Sequence, residues 1–140
     1  MRVLFLDFDG VLHAGPNVDA TTPHWCWLPS LAQLLARHED VRIVVHSTWR
    51  YDYNVEELRE LLGRLGERVI GATDAGGRLE SIEAWLAAHP EVSTFRILDD
   101  SEREFYRLPE ELILCDPAQG VADPEVRRQL LDWLAVEPAA

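Results

Sequence analysis

The chain has 140 residues, 47% of them hydrophobic, which is typical of one soluble globular domain. Its net charge of −12 disfavours non-specific binding to nucleic acid or anionic membranes, and no apolar run approaches the ~20 residues that a membrane span needs. Because the sequence also begins without a signal-peptide pattern, we predict a single cytoplasmic domain over residues 1–140.

The segment Val3–Leu12 joins an apolar run to two acidic residues and a glycine. Such a short apolar run predicts a buried strand of a parallel sheet. Side chains alternate along a strand, so Asp7 and Asp9 should leave its end on one side, with Phe8 on the other. Gly10 allows a sharp turn close to a ligand. The two carboxylates would repel each other unless a cation lay between them.

A loop of residues 11–27 follows, rich in glycine, proline and aromatic residues and too short for an inserted domain. Trp25 and Trp27 would either stack on a substrate ring or seal the loop onto the core, and we favour the core. His13 and His24 would be site groups or ordinary polar loop residues, and we favour the second.

Amphipathic helices alternate with apolar strands along the rest of the chain. The helices are predicted at 29–38, 54–66, 78–89 and 124–135, and the strands at 41–46, 68–71, 94–98 and 112–115. Residues 136–140 are predicted to be a frayed tail. This alternation predicts an α/β fold, with an open, mainly parallel five-stranded Rossmann-like sheet and helices on both faces.

Polar side chains follow three of the predicted strands where each strand ends. They are Asp7 and Asp9, Ser47 and Thr48, and Asp99 and Asp100. Each pair alone also fits a solvated strand end, but open parallel sheets bind ligands at this edge, so together they predict a site. Carboxylate oxygens suit Mg²⁺, and we predict that Asp7 and Asp99 hold it with Asp100 close by. Of the two last acids, we favour Asp99 as the direct ligand.

The string from Asp7 to Leu12 resembles the first motif of the haloacid dehalogenase-like (HAD) superfamily, D-x-D-G followed by an apolar pair. Ser47 resembles the second motif, and the pair Asp99–Asp100 resembles the fourth. The resemblance implies a HAD fold without a cap domain. It implies Asp7 as the nucleophile, Asp9 as the general acid and base whose backbone carbonyl is a further metal ligand, and Ser47 as a phosphoryl-binding catalytic hydroxyl.

The third motif departs from the superfamily pattern, which places a lysine between the nucleophile and the phosphate. All 13 basic residues of this chain are arginines. Arg78 begins a predicted helix at the corresponding position. An arginine stays charged and can grip phosphate with two nitrogens, so we predict a catalytic role. The alternative is an ordinary exposed residue at the start of a helix.

The string from His46 to Arg50 resembles a small capless HAD branch that occurs in RNA-repair-type proteins. We predict that Thr48 and Arg50 join Ser47 in binding the substrate, although Arg50 would alternatively pair with local acids. Trp49 would stack on a base or, as we favour, pack in the core.

These features predict a Mg²⁺-dependent phosphomonoester hydrolase with an aspartyl-phosphate intermediate. Its partner would be a phosphorylated substrate: a nucleotide, a nucleic-acid end or another small phosphomonoester. One alternative is a non-catalytic phosphate- or metal-binding domain of the same fold, which the missing lysine favours. A receiver-type signalling domain is disfavoured. In that class the acidic pair comes first and the phosphorylated Asp comes in mid-chain, whereas here the D-x-D comes first and Ser47 follows the middle strand. The oligomeric state is open.

Overall fold

The computed structural model describes residues 1–19 and 21–136, so the predicted tail lies outside it except for Val136. Five parallel strands form one sheet in the order β3-β2-β1-β4-β5. The strands are β1 (Arg2–Leu6), β2 (Val41–Val45), β3 (Val69–Ala72), β4 (Thr94–Asp99) and β5 (Leu112–Leu114). The predicted five-stranded α/β architecture is confirmed.

Helices cover both faces of the sheet, in unequal numbers. They are α1 (Leu28–Leu35), α2 (Val55–Leu61), α3 (Arg78–Ala88) and α4 (Pro124–Ala135). Alternation along β1 sends Leu4 and Leu6 to the face that α1, α2 and α4 cover. Val3 and Phe5 point to the opposite face, where they pack with α3. All four side chains are fully buried, so β1 runs through the middle of the core.

The second predicted helix is broken into two pieces. Asn54 and Glu57 form the predicted capping box at its start. The α-helix nevertheless ends at Leu61, and a 3₁₀ helix continues from Gly63 to Arg68. Gly63 has a φ of +57°, a left-handed conformation that an α-helix interior does not contain. This glycine therefore ends the α-helix earlier than its apolar pattern suggested.

The register of β1 with its two neighbours places the predicted site residues side by side. Leu6 lies opposite Val45 of β2 and opposite Leu98 of β4. The next residue of each strand is then Asp7, His46 or Asp99. Their backbones stay paired, because Asp7 N–H donates to Leu98 O at 3.1 Å and His46 N–H donates to Leu6 O at 3.1 Å.

The connection between β1 and α1 contains no cap domain. Of residues 7–27, all but Ala20 are described, and they form turns and one isolated bridge between Asp9 and His13. Within residues 1–19 and 21–136, no helix is long and apolar enough to cross a membrane.

Candidate active site

Asp7, Asp99 and Asp100 bring three carboxylates together at the carboxyl edge of the sheet. One ligand oxygen from each lies within 4.8 Å of the others. Asp7 and Asp99 are buried, and Asp100 is partly buried. Burial and the charge of Asp99 raise the pKa of Asp7 well above its ordinary value, because both disfavour a second negative charge here. The cluster therefore suits a divalent cation.

A single nitrogen of Arg78 bridges two of these acids. Its Nη1 lies 3.3 Å from Asp7 Oδ2 and 2.7 and 2.6 Å from the two oxygens of Asp99. Arg78 is the first residue of α3, and its side chain is 17% exposed. The start of α3 thus places a guanidinium group between Asp7 and Asp99, and the catalytic role of Arg78 stays a prediction.

Asp99 is fully occupied by protein donors. Besides Arg78, His46 Nε2 lies 2.8 Å from Asp99 Oδ2, and Ser101 N–H donates to Asp99 Oδ1 at 2.9 Å. Burial opposes ionisation of Asp99, but the hydrogen bond from His46 and the charge of Arg78 outweigh it and lower its pKa below the ordinary value. Asp99 is therefore a buried, ionised anchor for Arg78.

Asp100 faces the backbone of the D-x-D-G turn. A Cβ atom on Gly10 would lie 2.2 Å from Asp100 Oδ2, so only a glycine leaves room for this carboxylate. Gly10 also has a φ of +76°, which favours glycine. Burial and the charge of Asp99 raise the pKa of Asp100. The role of Asp99 as the direct metal ligand stays a prediction. Both of its oxygens already accept hydrogen bonds within the protein, which makes Asp100 the alternative ligand.

Replacing Gly10 with alanine tests whether this close approach matters. The new methyl group should displace the Asp100 carboxylate and strain the turn, costing about 1 to 3 kcal/mol of stability. We expect the affinity for Mg²⁺, measured by calorimetry, to fall by about tenfold or more, since one ligand is lost.

Gly63→Ala is the matched control for Gly10→Ala. Gly63 also has a positive φ, of +57°, but no atom of the described residues lies within 4 Å of its added Cβ. This variant should carry the backbone strain and keep the Mg²⁺ affinity. Equal metal affinities in the two variants would remove Asp100 from the ligand set.

Asp9 is more exposed than Asp7 and Asp99, and its carboxylate has two hydrogen-bonding neighbours. Its side chain is 37% exposed. His13 Nε2 lies 2.7 Å from Asp9 Oδ1, and Trp49 Nε1–H donates to Asp9 Oδ2 at 3.3 Å. Neither contact was predicted from the sequence. The position of His13, four residues after Asp9 across a glycine turn, was the one available signal.

Ser47 and Thr48 occupy different environments after β2. Ser47 is fully buried and caps a short 3₁₀ helix (Thr48–Tyr51), its Oγ accepting the N–H of Trp49 at 3.2 Å. This hydroxyl lies near the end of the strand next to β1, as the second motif implied. Thr48 is exposed, and its side chain makes no hydrogen bond with any described residue.

Arg50 does not present a free guanidinium to a substrate. Its donors go to backbone carbonyls at the ends of β2 and β3, those of His46, Ser47, Thr73 and Asp74, and to the hydroxyl of Tyr51. The guanidinium also lies 4.5 Å from the centre of the Tyr51 ring. These contacts tie two strand ends together, and the predicted substrate contact of Arg50 stays a prediction.

Aromatic side chains border the exposed carboxylate of Asp9. The Trp25 ring packs 5.0 Å from Trp49 and 5.2 Å from Phe8, and Trp49 stacks on Tyr53 at 5.8 Å. Trp49 is half-buried, with its indole N–H directed to Asp9, so it combines packing with a site contact. Trp27 packs onto the core and lies close to Gly120, as favoured from the sequence.

Comparison with known proteins supports the motifs at this site. A family model described as "HAD domain in Swiss Army Knife RNA repair proteins" matches residues 3–126, which include every candidate site residue. No curated protein matches the chain.

Proposed function

This chain belongs to the family of HAD domains in Swiss Army Knife RNA repair proteins, and from that premise we propose that it is a Mg²⁺-dependent phosphomonoester hydrolase. One observation supports the proposal above all others. A buried Asp7 lies beside Asp99 and Asp100, with its negative charge countered by a single nitrogen of Arg78. Burial and the charge of Asp99 oppose ionisation of Asp7, so this acidic cluster at the carboxyl edge of a parallel sheet is suited to hold a cation. A bound cation would keep Asp7 ionised for attack on phosphorus.

The carboxylates of Asp7 and Asp100 fit a hard divalent cation, with the backbone carbonyl of Asp9 as the ligand that the family resemblance adds. The space that Gly10 leaves beside Asp100 supports this ligand set. Bound Mg²⁺ would supply positive charge against the phosphoryl oxygens and the carboxylates around them. The chain's own cation, Arg78, would share that task.

Asp7 is the proposed nucleophile. One of its oxygens attacks phosphorus, the bond between phosphorus and the leaving oxygen breaks, and Asp9 gives that oxygen a proton. A water molecule then attacks phosphorus and gives its proton to Asp9. The bond between phosphorus and Asp7 breaks, which releases inorganic phosphate and restores both carboxylic side chains to their starting states.

Arg78 and Ser47 are the proposed phosphoryl-binding groups. Arg78 uses only Nη1 to hold Asp7 and Asp99, and among the described residues its Nη2 has no hydrogen-bond partner. Nη2 is thus available for a phosphate oxygen next to the nucleophile. The Ser47 hydroxyl already accepts a backbone N–H and can donate its own proton to the phosphoryl group.

The substrate that this geometry supports best is a nucleotide or a phosphorylated nucleic-acid end. Trp49 and Tyr53 place aromatic surface next to Asp9, and bases stack well on such side chains. The absence of a cap between β1 and α1, in the residues described there, leaves room for a large substrate. With a net charge of −12, recognition would depend on the site itself rather than on the general electrostatic field.

Phosphate release from a substrate panel tests the proposal. The panel contains an aryl phosphate, nucleoside monophosphates, and oligoribonucleotides with 3′- or 5′-phosphates, each with Mg²⁺ and with EDTA. We expect Mg²⁺-dependent turnover, with phosphorylated oligonucleotides or nucleotides as the better substrates. If calorimetry shows that the protein binds Mg²⁺ and a phosphate mimic but no substrate is hydrolysed, the chain is a binding domain and the enzymatic proposal is wrong.

A further inference from the structure

His13 lies against Asp9 in a fully enclosed position. Its side chain is 2% exposed, while that of its partner Asp9 is 37% exposed. The distance from His13 Nε2 to Asp9 Oδ1 is 2.7 Å, a short hydrogen bond to a carboxylate. A buried imidazole next to a more accessible acid is arranged to support that acid rather than to meet a substrate itself.

The turn after β1 brings these two residues together. Gly10 N–H donates to His13 O at 2.8 Å, and Asp9 and His13 form an isolated bridge. Leu12 N–H donates to Phe8 O at 2.9 Å and closes the loop from the other side. The backbone thus folds His13 back onto Asp9, and these bonds fix the distance between the two side chains.

The other ring nitrogen of His13 defines where its proton lies. His13 Nδ1 accepts the backbone N–H of Trp25 at 3.3 Å. Trp25 has a φ of +67°, a strained conformation for a large side chain, and it aims this N–H into the loop. Because Nδ1 is an acceptor, the proton lies on Nε2, so His13 donates to Asp9 Oδ1.

We propose that His13 is a positioning residue that orients Asp9 as the general acid and base of the phosphatase reaction, an inference that rests on the proposed function. With Oδ1 held by the imidazole N–H, the carboxyl group cannot rotate, and Oδ2 is the oxygen that exchanges a proton with the leaving group or with water. Trp49 Nε1, at 3.3 Å from Oδ2, fixes the same plane from the opposite side. The ring of His13 touches only Asp9 among the site acids.

This role predicts an effect that depends on the leaving group. A general acid accelerates a reaction by about 10²- to 10⁴-fold only if the leaving oxygen needs a proton. For His13→Ala we therefore expect kcat/KM, which reports the steps up to departure of the leaving group, to fall about 100-fold on an alkyl phosphate or a ribose phosphate. On a dinitrophenyl phosphate, whose leaving group departs as the anion, we expect kcat/KM to change by less than about threefold. Both substrates are measured on one preparation, so partial unfolding affects both equally.

His13→Gln should recover most of the lost rate, because the glutamine amide can place an N–H near the position of Nε2. The control is His24→Ala. The His24 ring stacks on that of His13, with 4.7 Å between the ring centres, and it makes no hydrogen bond with any described residue. This variant should leave the difference between the two substrates unchanged. An equal loss of kcat/KM on both substrates in His13→Ala, or no rescue by glutamine, would overturn the positioning role.

Nitrogen NMR of the wild-type imidazoles gives a second test that needs no turnover. We expect His13 to carry its proton on Nε2, with Nδ1 unprotonated. A proton on Nδ1 would overturn the inference even in an active enzyme. If the tautomer is as expected but wild-type protein hydrolyses none of the substrates, the proposed function fails and this role for His13 fails with it.

Discussion

Asp7→Asn should abolish turnover while making the metal-free protein more stable. The amide cannot attack phosphorus, so we expect kcat to fall by about 10⁴-fold or more. The same change also removes the buried carboxyl group of Asp7. Burial and the charges of Asp99 and Asp100 oppose the ionisation of this group. We therefore expect the free energy of unfolding in EDTA at pH 7 to rise by about 1 to 2 kcal/mol. Steady-state kinetics and urea denaturation measure the two effects.

The pH dependence of this stabilisation has a defined sign. The pKa of Asp7 is raised above the unfolded value of 3.8, so the folded state keeps its proton to higher pH than the unfolded state does. Stability is then lost as pH rises from the unfolded pKa through the folded pKa, and the whole penalty is present above both. The advantage of Asp7→Asn should accordingly shrink toward pH 4.

Asp52→Asn is the control for Asp7→Asn. Asp52 ends the 3₁₀ helix that follows Ser47 and is exposed. The Asp52→Asn variant loses the same charge on the same side of the sheet. We expect its turnover and stability to stay close to wild type. Turnover that survives in Asp7→Asn, in a preparation free of contaminating phosphatase, would refute Asp7 as the nucleophile. A less stable Asp7→Asn protein would refute the electrostatic account of the cluster.

Arg78→Met and Arg78→Lys should differ sharply. Methionine removes the charge between Asp7 and Asp99, and Asp99 is completely buried. Breaking a buried ion pair in this way costs roughly 3 kcal/mol, and turnover should become undetectable. Lysine should keep most of the stability, because one arginine nitrogen makes all three contacts and an ammonium group can replace it. We expect Arg78→Lys to retain turnover within about tenfold of wild type.

Urea denaturation and the phosphatase assay compare the two Arg78 variants. Arg128→Met is the control, since Arg128 forms exposed ion pairs with Glu125 and Asp132 on α4. Exposed pairs contribute little, so this variant should resemble wild type. If Arg78→Lys is as impaired as Arg78→Met, the guanidinium itself is required, and its Nη2 contact with phosphate becomes the essential one.

The sheet and the position of Asp7 at the end of β1 could be predicted from the sequence because their signals are local. The apolar run of β1 and the acids after it are contiguous, and alternation along a strand defines which acids share a side. The family motifs then gave the order of Ser47, Arg78 and Asp99 along the chain. The end of α2 at Gly63 was missed, since an isolated glycine in an apolar helical pattern is usually tolerated.

The supporting contacts could not be predicted, because they depend on strand register and on the path of loops. His46 meets Asp99 only since both follow strands paired with β1. From the sequence, Arg50 is predicted to bind phosphate. The fold places the carbonyls at the end of β3 within hydrogen-bonding distance of its guanidinium. The choice between Asp99 and Asp100 as a metal ligand likewise depends on which carboxylate the protein already satisfies, and the sequence does not show that. Such choices are made by tertiary geometry.

The central position of β1 has a consequence for the order of events during synthesis. Asp7 leaves the ribosome early, but Arg78 follows 71 residues later, and β4 with Asp99 later still. At about 5 to 20 residues per second, Asp7 is made roughly 4 to 14 s before Arg78. Until β4 is made, β1 is an apolar segment that lacks one of its two sheet neighbours. Assembly of the cluster of Asp7, Arg78 and Asp99 therefore requires that the nascent chain has folded through β4, and a fragment that ends before β4 has Asp7 without Asp99.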